Sequence, residues 1–138
     1  MIPLWFLFCA GYFGILLNAA LFDLKNKWVP NEASYTLSVF GFALYFSMNG
    51  FTYLPFLGFA LYFLFGLGLY YGHLWGGADV KIFAAAGAAF GPNLLYVFCL
   101  LVVSFLYGLL WWGIKRERQA PFVPVLFFSS FIYFLMSF

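Results

Sequence analysis

The sequence predicts an all-α, polytopic integral membrane protein built as a bundle of six transmembrane helices. Of its 138 residues, 67% are hydrophobic and only 7% charged, where soluble domains carry roughly 25% charged residues. The mean hydropathy is +1.02, and a small globule has too little interior to hide 22 Phe side chains. Apolar runs recur six times between short polar links. In lipid each run must pair its own backbone groups, as a helix does, and the alternating pattern of barrel strands is not seen. The chain reads as one transmembrane domain over residues 1–138 with no soluble domain beside it. A net charge of +2 gives no reason to expect nucleic-acid binding.

The first helix is expected at about residues 3–22, apolar except for Asn18. No basic stretch precedes it, so it reads as a retained helix, not a cleaved signal peptide. The link DLKNKWVPNE (residues 23–32) leads to a second helix at about 33–48, dotted with Ser and Thr. Asn49 and Gly50 signal a turn, and a third helix is expected at about 53–71. The link GHLWGGADVK (residues 72–81) follows, then a fourth helix at about 75–90. Its apolar part, residues 80–90, is by itself too short for about 30 Å of hydrocarbon. The stretch AAAGAA (residues 84–89) offers small side chains that let helix backbones approach, so this helix is expected among the others. Gly91, Pro92 and Asn93 break the chain before a fifth helix at about 94–114. The link KRERQAPFVP (residues 115–124) leads to the sixth, at about 123–138. Cys9 and Cys99 lie in apolar runs far apart and read as packing residues.

If all six segments cross, the odd-numbered links share one side. They hold every base (Lys25, Lys27, Lys81, Lys115, Arg116 and Arg118), all four acids (Asp23, Glu32, Asp79 and Glu117) and His73. The even-numbered links carry no charge. Basic residues mark the cytoplasmic side, so the charged face is expected in the cytoplasm, with both termini outside. The bases of that face are suited to anionic lipid headgroups.

Asp23 and Asp79, the only aspartates, fall at that same face. Ionisable groups at membrane depth are costly and usually functional. Two carboxyl groups facing one water can divide the work, one as base and one as acid, because close like charges push their pKa values apart. The structural alternative is that each caps a helix end or pairs with a lysine. His73 stands alone, with no His/Cys/Asp cluster at ligand spacing, so no metal site is expected. Ser and Thr lack a well-placed basic partner, which disfavours a serine mechanism.

The local motifs are D-L-K-N-K-W-V-P-N from Asp23 to Asn31 and G-G-A-D ending at Asp79, followed by Val80 and Lys81. Together they resemble the type IV prepilin peptidase family of GxGD-type aspartyl proteases, including its archaeal preflagellin branch. The P-F-V-P at residues 121–124 resembles the proline-rich start of the family's last helix. The resemblance implies Asp23 and Asp79 as catalytic residues. Gly76, Gly77, Ala78, Lys81, Pro30 and Asn31 take supporting positions. Gly76 and Gly77 would aim Asp79, and Pro30 would fix the start of the second helix. Asn31 would cap that helix or bond a carboxylate. Lys81 would pair with Asp79 or reach headgroups. Ala78 departs from the family's second glycine and lacks glycine's access to positive φ.

The implied activity is removal of the basic leader (a class III signal peptide) from pilin-like or archaellin-like precursors at the cytoplasmic membrane, by acid–base activation of a water and with no cofactor. No methyltransferase activity is expected, because the chain lacks the cysteine-bearing insertion that often accompanies it. An ion-coupled transporter or channel using Asp23 and Asp79, or a non-catalytic membrane scaffold, would also fit the composition. Both aspartates at one face argue against an ion path, and a scaffold leaves the paired motifs unexplained.

Overall fold

Each of the six apolar runs forms a helix: α1 (Leu4–Asn26), α2 (Asn31–Asn49), α3 (Leu54–Tyr71), α4 (Gly77–Phe90), α5 (Leu94–Lys115) and α6 (Val123–Ser137). The computed structural model describes residues 1–26, 28–73, 75–116 and 121–137, and no strand occurs among them. Lys27, Glu117 and Arg118, expected on the charged face, lie outside the described residues.

The helix limits differ from expectation where the site is built. α1 runs past residue 22 to Asn26, so Asp23 is inside the last turns of the helix. Nothing in this stretch breaks a helix, and Lys25 near the C-terminus suits the helix dipole. α2 begins at Asn31, directly after Pro30 at φ −61°, ψ 143°. α4 begins later than expected, at Gly77: Gly72 and His73 lie in a turn and Trp75 in a bend before it. His73 takes the left-handed conformation there (φ 60°), and its N–H donates to the Tyr70 carbonyl at 3.0 Å. Gly50 (φ 78°) and Gly91 (φ 70°) end α2 and α4 in the region that favours glycine.

The small-residue helix α4 lies at the centre, with α2, α3 and α6 against it. Val80 and residues 82–89 are all buried. Glycines on its neighbours make this possible. Gly58 of α3 faces Gly87 so closely that a methyl on either would overlap the other's carbonyl. A methyl on Gly41 of α2 would come within 2.8 Å of the Ala85 carbonyl oxygen. Tyr62 of α3 stacks on Phe83 of α4 with ring centroids 4.5 Å apart. α1 packs on α2 and α6, while α5 rests chiefly on α6.

Three helices, α1, α3 and α5, are long and apolar enough to cross a membrane. Large apolar side chains cover their outer faces, including Leu17, Leu61, Leu64, Phe98 and Phe105. The expectation of six full spans is met by these three on length and composition. α4, with 14 residues, is about 21 Å long, and α6 is a 15-residue apolar helix. The charged links gather at one end of the bundle. Lys81 Nζ at the start of α4 donates to Asn31 Oδ1 at the start of α2, at 2.7 Å. The Trp75 ring before α4 lies 4.6 Å from the Phe122 ring before α6. At the other end, the Tyr62 hydroxyl donates to the Asn93 carbonyl (2.9 Å) and the Asn93 amide donates to Tyr133 Oη (2.6 Å).

Candidate active site

Asp23 is buried, with 7% of its surface exposed. Its Oδ2 accepts a hydrogen bond from the Val123 N–H at 3.1 Å. Val123 is the first residue of α6, so its N–H has no partner within its own helix. Pro124 follows and has no N–H to offer. The carboxylate thus sits at the positive end of the α6 dipole. A residue near the C-terminus of α1 is held by the N-terminus of α6, one hundred positions on.

Asp79 occupies the first turn of α4. Its Oδ2 accepts from the Gly76 N–H at 3.1 Å, the carboxylate half of a capping box. Asp79 is half-buried, while Gly76 and Gly77 before it are exposed. Asp79 lies outside the three helices long enough to span. Burial pushes its carboxyl up to about 6; the Gly76 N–H acts in the opposite sense, and the charge of Asp23 adds to the rise. The two acids are therefore within electrostatic reach of each other. Both sit at helix N-termini, and the Trp75–Phe122 contact ties those two N-termini together. Trp75 also meets Phe83 edge-on at 5.1 Å.

The supporting residues divide. Gly76 is the residue before α4, with φ −81° and ψ 163°. Any residue adopts that conformation, and its contribution is the N–H that holds Asp79. A methyl on Gly77 would meet only Tyr70, at 4.0 Å, so Gly77 is not forced by close packing. Ala78 is an ordinary helical residue packed against the core. Among the described non-glycine residues only His73 and Arg116 take left-handed backbone, so the position of Ala78 makes no demand that only glycine meets.

Pro30 precedes α2 as expected, and its carbonyl accepts the Ala33 N–H at 3.2 Å. Asn31 differs from expectation. It is the first residue of α2, it caps nothing, and its side chain accepts from Lys81. Lys81 accordingly turns from Asp79 toward α2, with its ammonium 5.8 Å from the centroid of the Tyr35 ring. The Asn31–Lys81 pair braces α2 against α4 beside the acids. Among the described residues, no group of three His, Cys, Asp or Glu side chains comes together.

Sequence reasoning missed Val123, Phe122 and Trp75. The signal for Val123 was present in P-F-V-P, where prolines mark a helix start with a spare N–H. The Trp75–Phe122 contact had none, since it joins two links distant in the chain.

An all-helical fold among the described residues, with three apolar helices of membrane-crossing length, defines the class as a helical membrane protein. The chain belongs to the type IV leader peptidase family, whose profile matches residues 10–114. That stretch contains Asp23, Asp79 and all of α2, α3 and α4. Membership implies a peptidase. No curated protein and no solved structure matches the chain.

Proposed function

We propose that the chain is an aspartic endopeptidase of the cytoplasmic membrane. It removes the basic leader from pilin-like or archaellin-like precursors and does not methylate the product. The family implies prepilin-type substrates. The observation that carries the aspartic reading is that Asp23 and Asp79 are held by backbone N–H groups at the starts of α6 and α4, which the Trp75–Phe122 contact brings together.

In the proposed reaction the pair shares one proton. The ionised carboxylate takes a proton from a water held between the two acids, and the resulting hydroxide adds to the scissile carbonyl carbon. The protonated partner gives its proton to the carbonyl oxygen, forming a neutral gem-diol. As the C–N bond breaks, the amine nitrogen receives a proton from the first acid and the second recovers its own. No covalent intermediate and no cofactor is needed.

The chain crosses the bilayer six times, with α4 crossing after Asp79. The charged links lie in the cytoplasm and both termini outside. A precursor's apolar helix lies in the membrane against the bundle and its charged leader stays in water. This places the scissile bond at the level of Asp23 and Asp79.

The test is cleavage of precursor pilin or archaellin by the protein in membranes. Asp23→Asn and Asp79→Asn should each lower the rate by at least about a thousandfold, as loss of one member of a catalytic unit does, with the helical content retained. Wild-type cleavage by either variant sinks the dyad. A wild type that cleaves no precursor but moves ions across liposomes favours a transporter.

A further inference from the structure

A cavity of about 300 Å³ opens among α2, α4 and α6 at the end of the bundle away from the acids. Lys81–Asn31, Gly76–Asp79 and Val123–Asp23 set the starts of these three helices at the acid end, so all three finish at the cavity. The length of α4, about 21 Å, separates it from Asp79. The scheme above makes no use of it.

The cavity collects hydrogen-bond acceptors. Met48 and Asn49 close α2, Ala89 and Phe90 close α4, Phe134 and Ser137 lie in the last turn of α6, and all six line it. Carbonyls of a last turn lack an N–H partner in their own helix, and three C-termini bring the negative ends of three dipoles together. Gly50 and Gly91 satisfy only the Phe46 and Gly87 carbonyls. The polar side chains send their donors back into the fold. The Asn49 amide donates to the Tyr45 carbonyl (3.3 Å), the Ser137 hydroxyl to the Tyr133 carbonyl (2.8 Å) and the Asn93 amide to Tyr133 Oη (2.6 Å). This leaves lone pairs on Asn49 Oδ1 and Ser137 Oγ. The positive end of α5 is covered, since Asn93 Oδ1 accepts the Leu95 N–H at 2.9 Å.

Aromatic rings complete the wall: Tyr45, Phe90, Tyr133 and Phe134. The Tyr133 ring is fixed edge-on to Phe90 at 5.1 Å and to Tyr96 at 5.7 Å. The Tyr45 ring packs on the Gly91 backbone, where a methyl would come within 3.2 Å of it. The face of such a ring attracts a cation. Among the described residues none that lines the cavity is charged, so a cation meets no repulsion there and an anion no partner. Divalent metal ions favour carboxylate oxygens, which the cavity lacks, and a bare ion would leave most of its volume empty.

We propose that this cavity binds a small alkylammonium group of about the size of choline. The N-alkyl carbons lie against the aromatic rings and Leu44, and the charge faces the helix-end carbonyls, Asn49 Oδ1 and Ser137 Oγ. A free amine and a zwitterionic lipid headgroup present the same group. α2 and α6 each pack on α1 and α4 with the cavity between them, so an occupant ties the two together and stabilises the fold. Binding here needs neither acid and stands apart from the peptidase reading.

The experiment is thermal unfolding and calorimetric titration of the whole chain in a non-ionic detergent, with sodium chloride at equal ionic strength as the blank. Choline should bind and raise the Tm with concentration. Dimethylbutanol, in which carbon replaces the nitrogen, should bind at least about tenfold more weakly. Ser137 is exposed, so a charge placed there leaves the packing alone. Ser137→Glu should tighten choline binding by about threefold or more, and Ser137→Lys should weaken it by as much. Tyr45→Leu should weaken it about tenfold, whereas Tyr45→Phe keeps the ring and the affinity. A Tm higher in phosphatidylcholine than in phosphatidylglycerol nanodiscs, with the difference lost in Ser137→Lys, assigns the group to a lipid headgroup. A Tm raised by free choline in phosphatidylglycerol nanodiscs assigns it to a soluble amine. Equal affinity for choline and dimethylbutanol overturns the proposal, and so does choline binding that ignores the sign of the charge at Ser137. Failure to bind choline, together with equal Tm in the two lipids, overturns it as well.

Discussion

Asp23 and Asp79 are the same residue type in different surroundings. Asp23 is buried and held by a backbone N–H from another helix, whereas Asp79 is half-buried and held by the N–H of Gly76. This asymmetry suits one acid and one base. With Asp79 raised to about 6 by burial, opposed by Gly76 and reinforced by Asp23, the pair keeps a proton below that pH and loses it above. A reaction that needs one protonated acid should therefore slow as pH rises through about 6, by about tenfold in kcat/KM per unit beyond it. A pH series with a precursor substrate checks this, and a flat profile up to about pH 9 would contradict it. The motif at residue scale was legible in part. Both acids stood out as the only aspartates, and Pro30 marked the start of α2. The partner of Lys81 was not legible, because Asn31 and Asp79 are both chemically fit to receive it and only the placement of α2 against α4 selects Asn31.

At the scale of elements, α4 explains why a helix of 14 residues belongs in this bundle. Its alanines and glycine permit near backbone contact on two sides, and dispersion between closely packed surfaces replaces the side-chain bulk it lacks. The fit is local. Gly58 and Gly87 press together, whereas a methyl on Gly14 or Gly108 would meet nothing within 4 Å. Gly58→Ala and Gly87→Ala should each destabilise by about 1–3 kcal/mol as the backbones are forced apart. Gly14→Ala and Gly108→Ala should be neutral or slightly stabilising through helix propensity. Unfolding midpoints in detergent distinguish the two sets, and equal midpoints would show that the α3–α4 contact is not tight. Helix existence was readable because apolar runs and turn residues are local signals. The extension of α1 over Asp23 was not, since a charged residue at the end of an apolar run fits either a loop or a last helical turn.

At the scale of the molecule, three charged links meet at one end through Lys81–Asn31, Trp75–Phe122 and Val123–Asp23. If all six helices cross, this end faces the cytoplasm. In a chain with Cys9 and Cys99 replaced by Ala, a cysteine at His73 should react with a membrane-impermeant thiol reagent only from the cytoplasmic side. A cysteine at Pro92 should react only from the other. Labelling of both from one side would mean that α4 does not cross. The sequence by itself determined the solvent and the element type. Composition dictates lipid, and lipid dictates helices, whatever the neighbours are. If all six segments cross, counting the links also puts both acids at one end. Only the tertiary structure decided what each acid touches. Hydrogen bonds are directional and short, and the groups that meet Asp23 come from a helix start one hundred residues away. The packing of α6 against α1 brings them within reach, and hydropathy carries no record of that packing.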